Sequence, residues 1–365
     1  MRYALLLALM LLTLASSALG EEYYFEFRID DPTILEKLSR VISIDRVDGD
    51  LVKAYANDRE MAEFEAFGYH YEILPAPSSL IIPRMSDDKA ALKDWDSYPT
   101  YPAYVSMMYQ FATDYPSICR IYDAGTTVAG RELLFAVISD NVNVEEDEPE
   151  VMYTGTIHGD ETTGYIMTLR LIDSLLVAYG TDSRITDMVD NMEIWINPLA
   201  NPDGTYHGGD ATVSGAQRYN ANDYDLNRNF PDPEDGAYPG GTRQIETTNM
   251  MNMAIADSFV ISAKFHGGAE VLNYPWDTWS DRHADDTWCY DICRAFADTV
   301  HLYSTSGYMT YLDDGVTNGY DWYTVSGGRQ DYMNYFRGCR EVTMEISDTK
   351  LLSASQLPSH WIWLR

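Results

Sequence analysis

The run Val151-Met152-Tyr153-Thr154-Gly155-Thr156-Ile157-His158-Gly159-Asp160-Glu161 begins as an apolar, β-branched strand and ends in an imidazole and a carboxylate three residues apart. The spacing predicts a strand over Val151–Ile157 and a helix from Glu161 to Tyr179, ended by Gly180. Residues three apart across that turn point the same way, so His158 and Glu161 can share a metal ion. A bare His-x-x-Glu is weak evidence, and a structural or surface role is the plainer reading of it alone. A third donor changes that reading. His266 closes a separate predicted strand, Phe259–Phe265, and Gly267-Gly268 follows it, where bulk would obstruct a cavity. Two histidines and one glutamate are the ligand set of catalytic zinc sites, which keep a fourth position for water.

Working outward, strands are predicted at Leu133–Ser139, Met192–Ile196 and Val342–Ile346, and helices at Gln244–Ala256 and Asp285–Ala297. A helix opening at Pro102 carries Tyr104, Met107, Met108, Phe111, Ala112 and Tyr115 at three- and four-residue steps, a stripe suited to a core. Strands alternating with helices imply an α/β fold with three layers, αβα, around a mixed, mostly parallel central sheet. Ligands in such sheets bind at the carboxyl ends of the strands. Residues 21–75 read strand, helix, strand, strand, helix, strand, which fits a small α+β, ferredoxin-like module. Residues 76–97 show no clear period and read as a linker, with Arg84 an exposed cleavage candidate or, alternatively, part of a loop pinned to the main domain. Residues 98–365 form the larger domain.

The 365 residues carry 57 Asp and Glu against 25 Lys and Arg, a net charge of −32. That field repels phosphate backbones and anionic membrane surfaces, so no nucleic-acid partner is expected. Residues 1–20 read as a cleaved signal peptide: Arg2, an apolar run from Ala4 to Ala15, and Ala18-Leu19-Gly20 before Glu21. The run is too short for a permanent membrane span, so a secreted protein, extracellular or periplasmic, without stable membrane insertion is expected, an uncleaved membrane anchor being the alternative; a monomer is expected as well. Cys119, Cys289, Cys293 and Cys339 would meet an oxidising compartment and allow one or two disulfides. Cys289 and Cys293, four apart, equally suit two small buried side chains on one helix face, and the sequence leaves the choice open.

From Tyr98 onward the chain resembles the zinc metallocarboxypeptidases of the carboxypeptidase A/B family. The resemblance rests on His158-Gly159-Asp160-Glu161, Asn201-Pro202-Asp203-Gly204, Arg218, Asp225-Leu226-Asn227-Arg228-Asn229-Phe230-Pro231, His266-Gly267-Gly268, Tyr323 with Gly327-Gly328, and Glu345. The Gly-Gly pair and Tyr274-Pro275-Trp276-Asp277 bring it closest to the regulatory N/E/D-like branch. It implies hydrolysis of the C-terminal bond of peptides or proteins, with one Zn²⁺ held by His158, Glu161 and His266. It further implies Glu345 as general base, Arg218 as oxyanion donor, Tyr323 closing over the bound terminus and Asp225 orienting a ligand histidine. Asn227 and Arg228 match the clamp for a free α-carboxylate, while Asp277 and Gln330 match a pocket favouring a terminal Lys or Arg. Two alternatives remain on the same scaffold: a peptidase of cell-wall stem peptides, and a non-catalytic peptide binder.

Three departures from the family pattern bear on specificity and completeness. Asp160 stands where the digestive enzymes carry Arg and the regulatory ones usually Asn. Arg329 follows the Gly-Gly pair and is expected to blunt Asp277 electrostatically. The chain stops at Arg365, where relatives have just begun a final helix, and on the pattern looks truncated. The front module resembles the propeptide-like domains of secreted carboxypeptidases, which implies that it shields the cleft or assists folding.

Overall fold

The computed structural model describes residues 21–87, 94–237 and 241–365, so the expected signal peptide and residues 88–93 of the expected linker lie outside the described residues. The front unit is built on β1 (Glu22–Arg28), β2 (Ser43–Asp48), β3 (Leu51–Asn57) and β4 (Tyr71–Leu74), paired antiparallel in the order β2-β3-β1-β4. A short turn of helix at Pro32–Leu38 and a helix at Asp58–Glu65 cover one face of this sheet. The latter starts at Asn57 because the Asn57 side chain accepts the Glu60 N–H while the Glu60 carboxylate accepts the Asn57 N–H. Phe25, Phe27, Ile44, Val52 and Ala54 point at these helices and meet Phe64, whose ring centroid lies 4.9 Å from that of Phe25 and 4.7 Å from that of Phe27.

Strand alternation sends Glu22, Tyr24, Ser43, Asp45 and Tyr55 to the opposite face. That face is covered too, by the larger unit. Asp45 sits at an irregularity in the β2–β3 register, between Ile44 and Arg46; an extra residue at such a point bends a strand and re-aims its side chain.

Among the described residues of the connection over 76–97, two points are anchored to the larger unit. Ser78 donates from its hydroxyl to the Ala216 carbonyl at 2.6 Å. Further on, β5 (Met85–Ser86) pairs in parallel with β6 (Tyr98–Pro99). Between these anchors Leu80 and Ile82 stand 65% and 95% exposed. Arg84 has an exposed side chain paired with Asp96, and its carbonyl accepts the Tyr98 N–H at 2.8 Å, so the pinned-loop alternative describes it.

The larger unit holds an eight-stranded sheet made of β7 (Cys119–Thr126), β8 (Glu132–Ile138), β9 (Glu150–Gly155), β10 (Glu193–Asn197), β11 (Phe259–His266), β12 (Ala269–Tyr274), β13 (Val316–Asn318) and β14 (Arg340–Ser347). Its order is β13-β12-β14-β11-β9-β10-β8-β7. The pairs β9–β10, β9–β11, β11–β14 and β12–β13 are parallel, and the other three are antiparallel. Helices 101–114, 163–178, 286–303 and 357–364 pack on one face and helix 245–256 on the other, giving the expected mixed three-layer fold. Tyr104, Met107, Met108 and Phe111 are buried as the stripe predicted. A final helix forms over Leu357–Leu364. All four cysteines are buried free thiols, with Cys289 and Cys293 on the buried face of helix 286–303.

Candidate active site

The central strands β9, β11 and β14 end side by side, and the site lies at their carboxyl ends. His158 and Glu161 occupy the turn between β9 and helix 163–178. His266 is the last residue of β11, and Glu345 stands opposite it in the parallel register of β14. Two glycines make the ligand turn possible. A Cβ at Gly159 would lie 2.3 Å from the Gly204 backbone, so His158-Gly159-Asp160-Glu161 and Asn201-Pro202-Asp203-Gly204 pack main chain to main chain.

His158 Nδ1 lies 2.9 Å from Glu161 Oε1, His266 Nδ1 lies 2.9 Å from Glu161 Oε2, and the two Nδ1 atoms are 3.1 Å apart. All three side chains are buried. On the far side of its ring, His158 Nε2 meets Asp225 Oδ1 at 3.1 Å, which places the ring proton there and leaves a lone pair on Nδ1. Two ring nitrogens this close, both facing one carboxylate, are held together either by a proton on His266 Nδ1 or by a cation among them. Two neutral imidazoles and a carboxylate fit a zinc ion. Burial pushes His266 down to about 3, which keeps it a neutral donor.

Around this trio the residues named from the sequence come together. Among the described residues, Glu345 Oε2 is buried without a hydrogen-bond partner. Burial, and next the charge of Glu161, push the Glu345 carboxyl well above its ordinary value. Arg218 reaches Glu161 Oε1 at 3.1 Å and Asp225 Oδ2 at 3.2 Å. Arg228 donates from Nη1 to the Asn227 carbonyl at 3.1 Å, while its buried Nε and Nη2 have no partner. Buried donors left open in a guanidinium plane suit a carboxylate ligand.

The side pocket holds Asp277, whose Oδ1 accepts from Gln330 Nε2 at 2.9 Å and Asn273 Nδ2 at 3.1 Å. Gly319 makes room for it, because a Cβ there would stand 1.9 Å from Asp277 Oδ1. Arg329 binds both oxygens of buried Glu341 through its Nε, at 3.0 and 3.1 Å.

Several residues in the cleft carry no sequence signal. Lys350 places Nζ 3.2 Å from Glu161 Oε1 and 3.6 Å from Asp160 Oδ2. Lys264, two residues before His266 on β11, donates to Asn227 Oδ1 at 2.9 Å. From the front unit, the Ser43 hydroxyl donates to Asp225 Oδ2 and accepts from Arg218 Nε at 2.7 Å. Asp45 lies 2.6 Å from Lys350 and 3.8 Å from Arg218. The Tyr55 hydroxyl donates to Asp160 at 2.6 Å, and the Tyr323 hydroxyl donates to the Ile44 carbonyl at 3.3 Å. Ile44 and Asp45 thus line the same cleft as the metal donors, Asp277 and Glu345.

A three-layer α/β sheet with a two-histidine, one-glutamate site at its strand ends defines the zinc metallocarboxypeptidase class. The chain belongs to the zinc carboxypeptidase family (Peptidase_M14), which matches residues 104–362. It is 37% identical over 270 residues to carboxypeptidase D of Anas platyrhynchos, covering 69% of this chain and 19% of that protein. With carboxypeptidase M of Mus musculus it shares 36% over 271 residues, 68% of this chain and 59% of that one. The chain thus spans about a fifth of the length of the carboxypeptidase D relatives it matches. Its fold is similar to that of the carboxypeptidase A from Helicoverpa armigera, with a TM-score of 0.73 at 18% identity and 95% of both chains covered.

Proposed function

We propose that this chain is a secreted, latent zinc carboxypeptidase that removes single C-terminal residues, preferring Lys and Arg. The observation that carries the reading is the meeting, in one cleft, of the metal-donor trio, an unpartnered Glu345 oxygen and two open donors of Arg228. Zinc held by His158, Glu161 and His266 would supply a water of lowered pKa and polarise the scissile carbonyl. Glu345 Oε2 accepts the proton of the attacking water and passes it to the leaving amine. Asn227 and Arg228 grip the terminal carboxylate, which admits a free chain end and excludes an internal peptide bond. Arg218 donates to the oxygen that gains charge in the transition state. Asp225 holds His158 in its donor tautomer, and Tyr323 closes over the bound end.

Asp277 at the end of the side pocket gives the basic preference. Asp277→Asn is expected to lower kcat/KM for a peptide ending in Arg by about tenfold or more, the size of one charge-assisted hydrogen bond, while a peptide ending in Leu changes little. Release rates from peptides differing only in the last residue, with and without a chelator, check both points. Release that persists under chelation removes the metallopeptidase reading, and an unchanged Arg to Leu ratio removes the role of Asp277.

We further read residues 1–20 as an export signal, 21–75 as a propeptide-like plug, 76–97 as its connection and 98–365 as the catalytic domain. The plug reading is supported by Ser43, Ile44, Asp45 and Tyr55, which occupy the partners that substrate would use. Its hold depends on pH through Glu22, whose Oε2 accepts the N–H groups of Arg218 and Tyr219 at 2.8 and 3.1 Å. Burial first, then the charge of Asp160, raise the Glu22 carboxyl from 4.5 to about 8, against the backbone N–H of Tyr219 and the charges of Arg218 and Lys350. A carboxyl raised in the docked state leaves docking at full strength below about 4.5, and the contribution is lost as pH climbs through about 8. After the connection is cut, size-exclusion chromatography should find the front unit retained at pH 5 and released increasingly toward pH 9. Equal retention at both ends of that range refutes the role of Glu22.

A further inference from the structure

The cleft contains a buried lysine, Lys350, that the peptidase reading leaves unused. Lys350 is 2% exposed, and the nearest of its three carboxylate neighbours comes from the front unit: Asp45 at 2.6 Å, against 3.2 Å for Glu161 and 3.6 Å for Asp160. The second cation near Asp45 is Arg218, at 3.8 Å. The pocket is shaped for this group. A Cβ on Gly268 would lie 3.1 Å from Asp45 Oδ1 and 3.2 Å from Lys350 Cε, so glycine leaves the space the carboxylate fills. The Tyr55 ring, 4.5 Å from Lys350 Nζ, closes the same spot from the front unit. When the front unit departs, Asp45 and Tyr55 leave with it. Lys350 and Arg218 then face the open cleft, in a chain where cations are outnumbered 57 to 25.

We propose that Lys350, with Arg218, forms a subsite for an acidic side chain on the penultimate residue of the substrate, and that Asp45 is its built-in occupant. The position follows from the metal donors. The scissile carbonyl belongs to the penultimate residue and must sit at the ion, and Lys350 Nζ lies one hydrogen bond from the ligand oxygen of Glu161. The terminal residue takes a different set of groups, Asn227, Arg228, Tyr323 and Asp277. A lysine nitrogen carries three donors and no acceptor, so it can hold a substrate carboxylate while keeping its contacts to Asp160 and Glu161. The chain therefore favours peptides ending in an acidic residue followed by a basic one.

This inference rests on the carboxypeptidase reading, and one experiment separates the two. A protease site is inserted beside Ile82, the full-length protein is folded, loaded with zinc and cut, and kcat/KM is measured for blocked peptides ending in Glu-Lys and Gln-Lys. The Glu-Lys peptide is expected to lead by about tenfold, the size of one charge-assisted hydrogen bond. Lys350→Gln should bring the ratio to about one, and Lys350→Arg should keep most of it. Because both peptides are read on one preparation, the ratio is independent of the fraction folded or metal-loaded. Equal rates in the unsubstituted protein, or a ratio that survives Lys350→Gln, overturn the subsite and leave the peptidase standing. Hydrolysis of neither peptide sinks both.

Discussion

Glu345→Gln is expected to slow hydrolysis by about 10²- to 10⁴-fold, the usual worth of a positioned general base, with zinc still bound. The substitution keeps the size of the side chain and removes the ability to take a proton. Glu345 is not one of the three donors, so metal content should stay near one ion per chain while turnover collapses. Its place is set by the sheet, because the β11–β14 register puts it directly opposite His266, and its Oε2 has no protein partner to compete for the proton. Single-turnover rates on a Lys-ended peptide, paired with metal analysis, check this. An unchanged rate removes Glu345 as the base. Lost zinc would instead give it a structural part in the metal site.

Cutting the connection beside Ile82 is expected to raise activity on a small peptide from about 1% or less to its full value. The front unit does more than shade the cleft. Ser43 bonds both Asp225 and Arg218, Asp45 pairs with Lys350, and the Ile44 carbonyl engages Tyr323. A peptide must displace all of these to place its carboxylate at Arg228 and its carbonyl at the donors. Several buried charge-assisted bonds, each worth about 1.5–3 kcal/mol, exceed what a small peptide brings in return. Equal initial rates before and after cutting would show that the front unit serves folding or transport alone.

The metal donors are legible because His266 ends a regular strand and His158 and Glu161 lie in the turn from a strand to a helix, which puts all three at the carboxyl ends of the strands. Glu345 was reachable only through the family resemblance, since a glutamate on a strand otherwise reads as a solvated edge residue. Strands β7, β12 and β13 carry no clear signal in the sequence, β12 beginning directly after a glycine pair and β13 being three residues long. The partner of Arg329 was hidden by distance in the chain, because Glu341 arrives from β14 only when the sheet closes. Most telling is the second face of the front sheet. Alternation marks Phe25, Ile44 and Ala54 as inward, and the same rule assigns Glu22, Ser43, Asp45 and Tyr55 to water. A face that docks on another domain has the composition of a wetted one, and only the fold tells them apart. Lys350 and Lys264 belong to no periodic pattern and are visible only from the carboxylates and amides around them.

The two anchors flanking Leu80 and Ile82 carry a consequence for how switching on would proceed. On the proposed reading, the front unit of an uncut chain would act as a plug at an effective concentration set by a short tether, on the order of millimolar. Severing the tether leaves every plug contact in place and changes only the order of the reaction, from unimolecular to bimolecular. If the front unit plugs the cleft as proposed, a cut molecule opens on dilution, at the low protein concentrations of a rate assay.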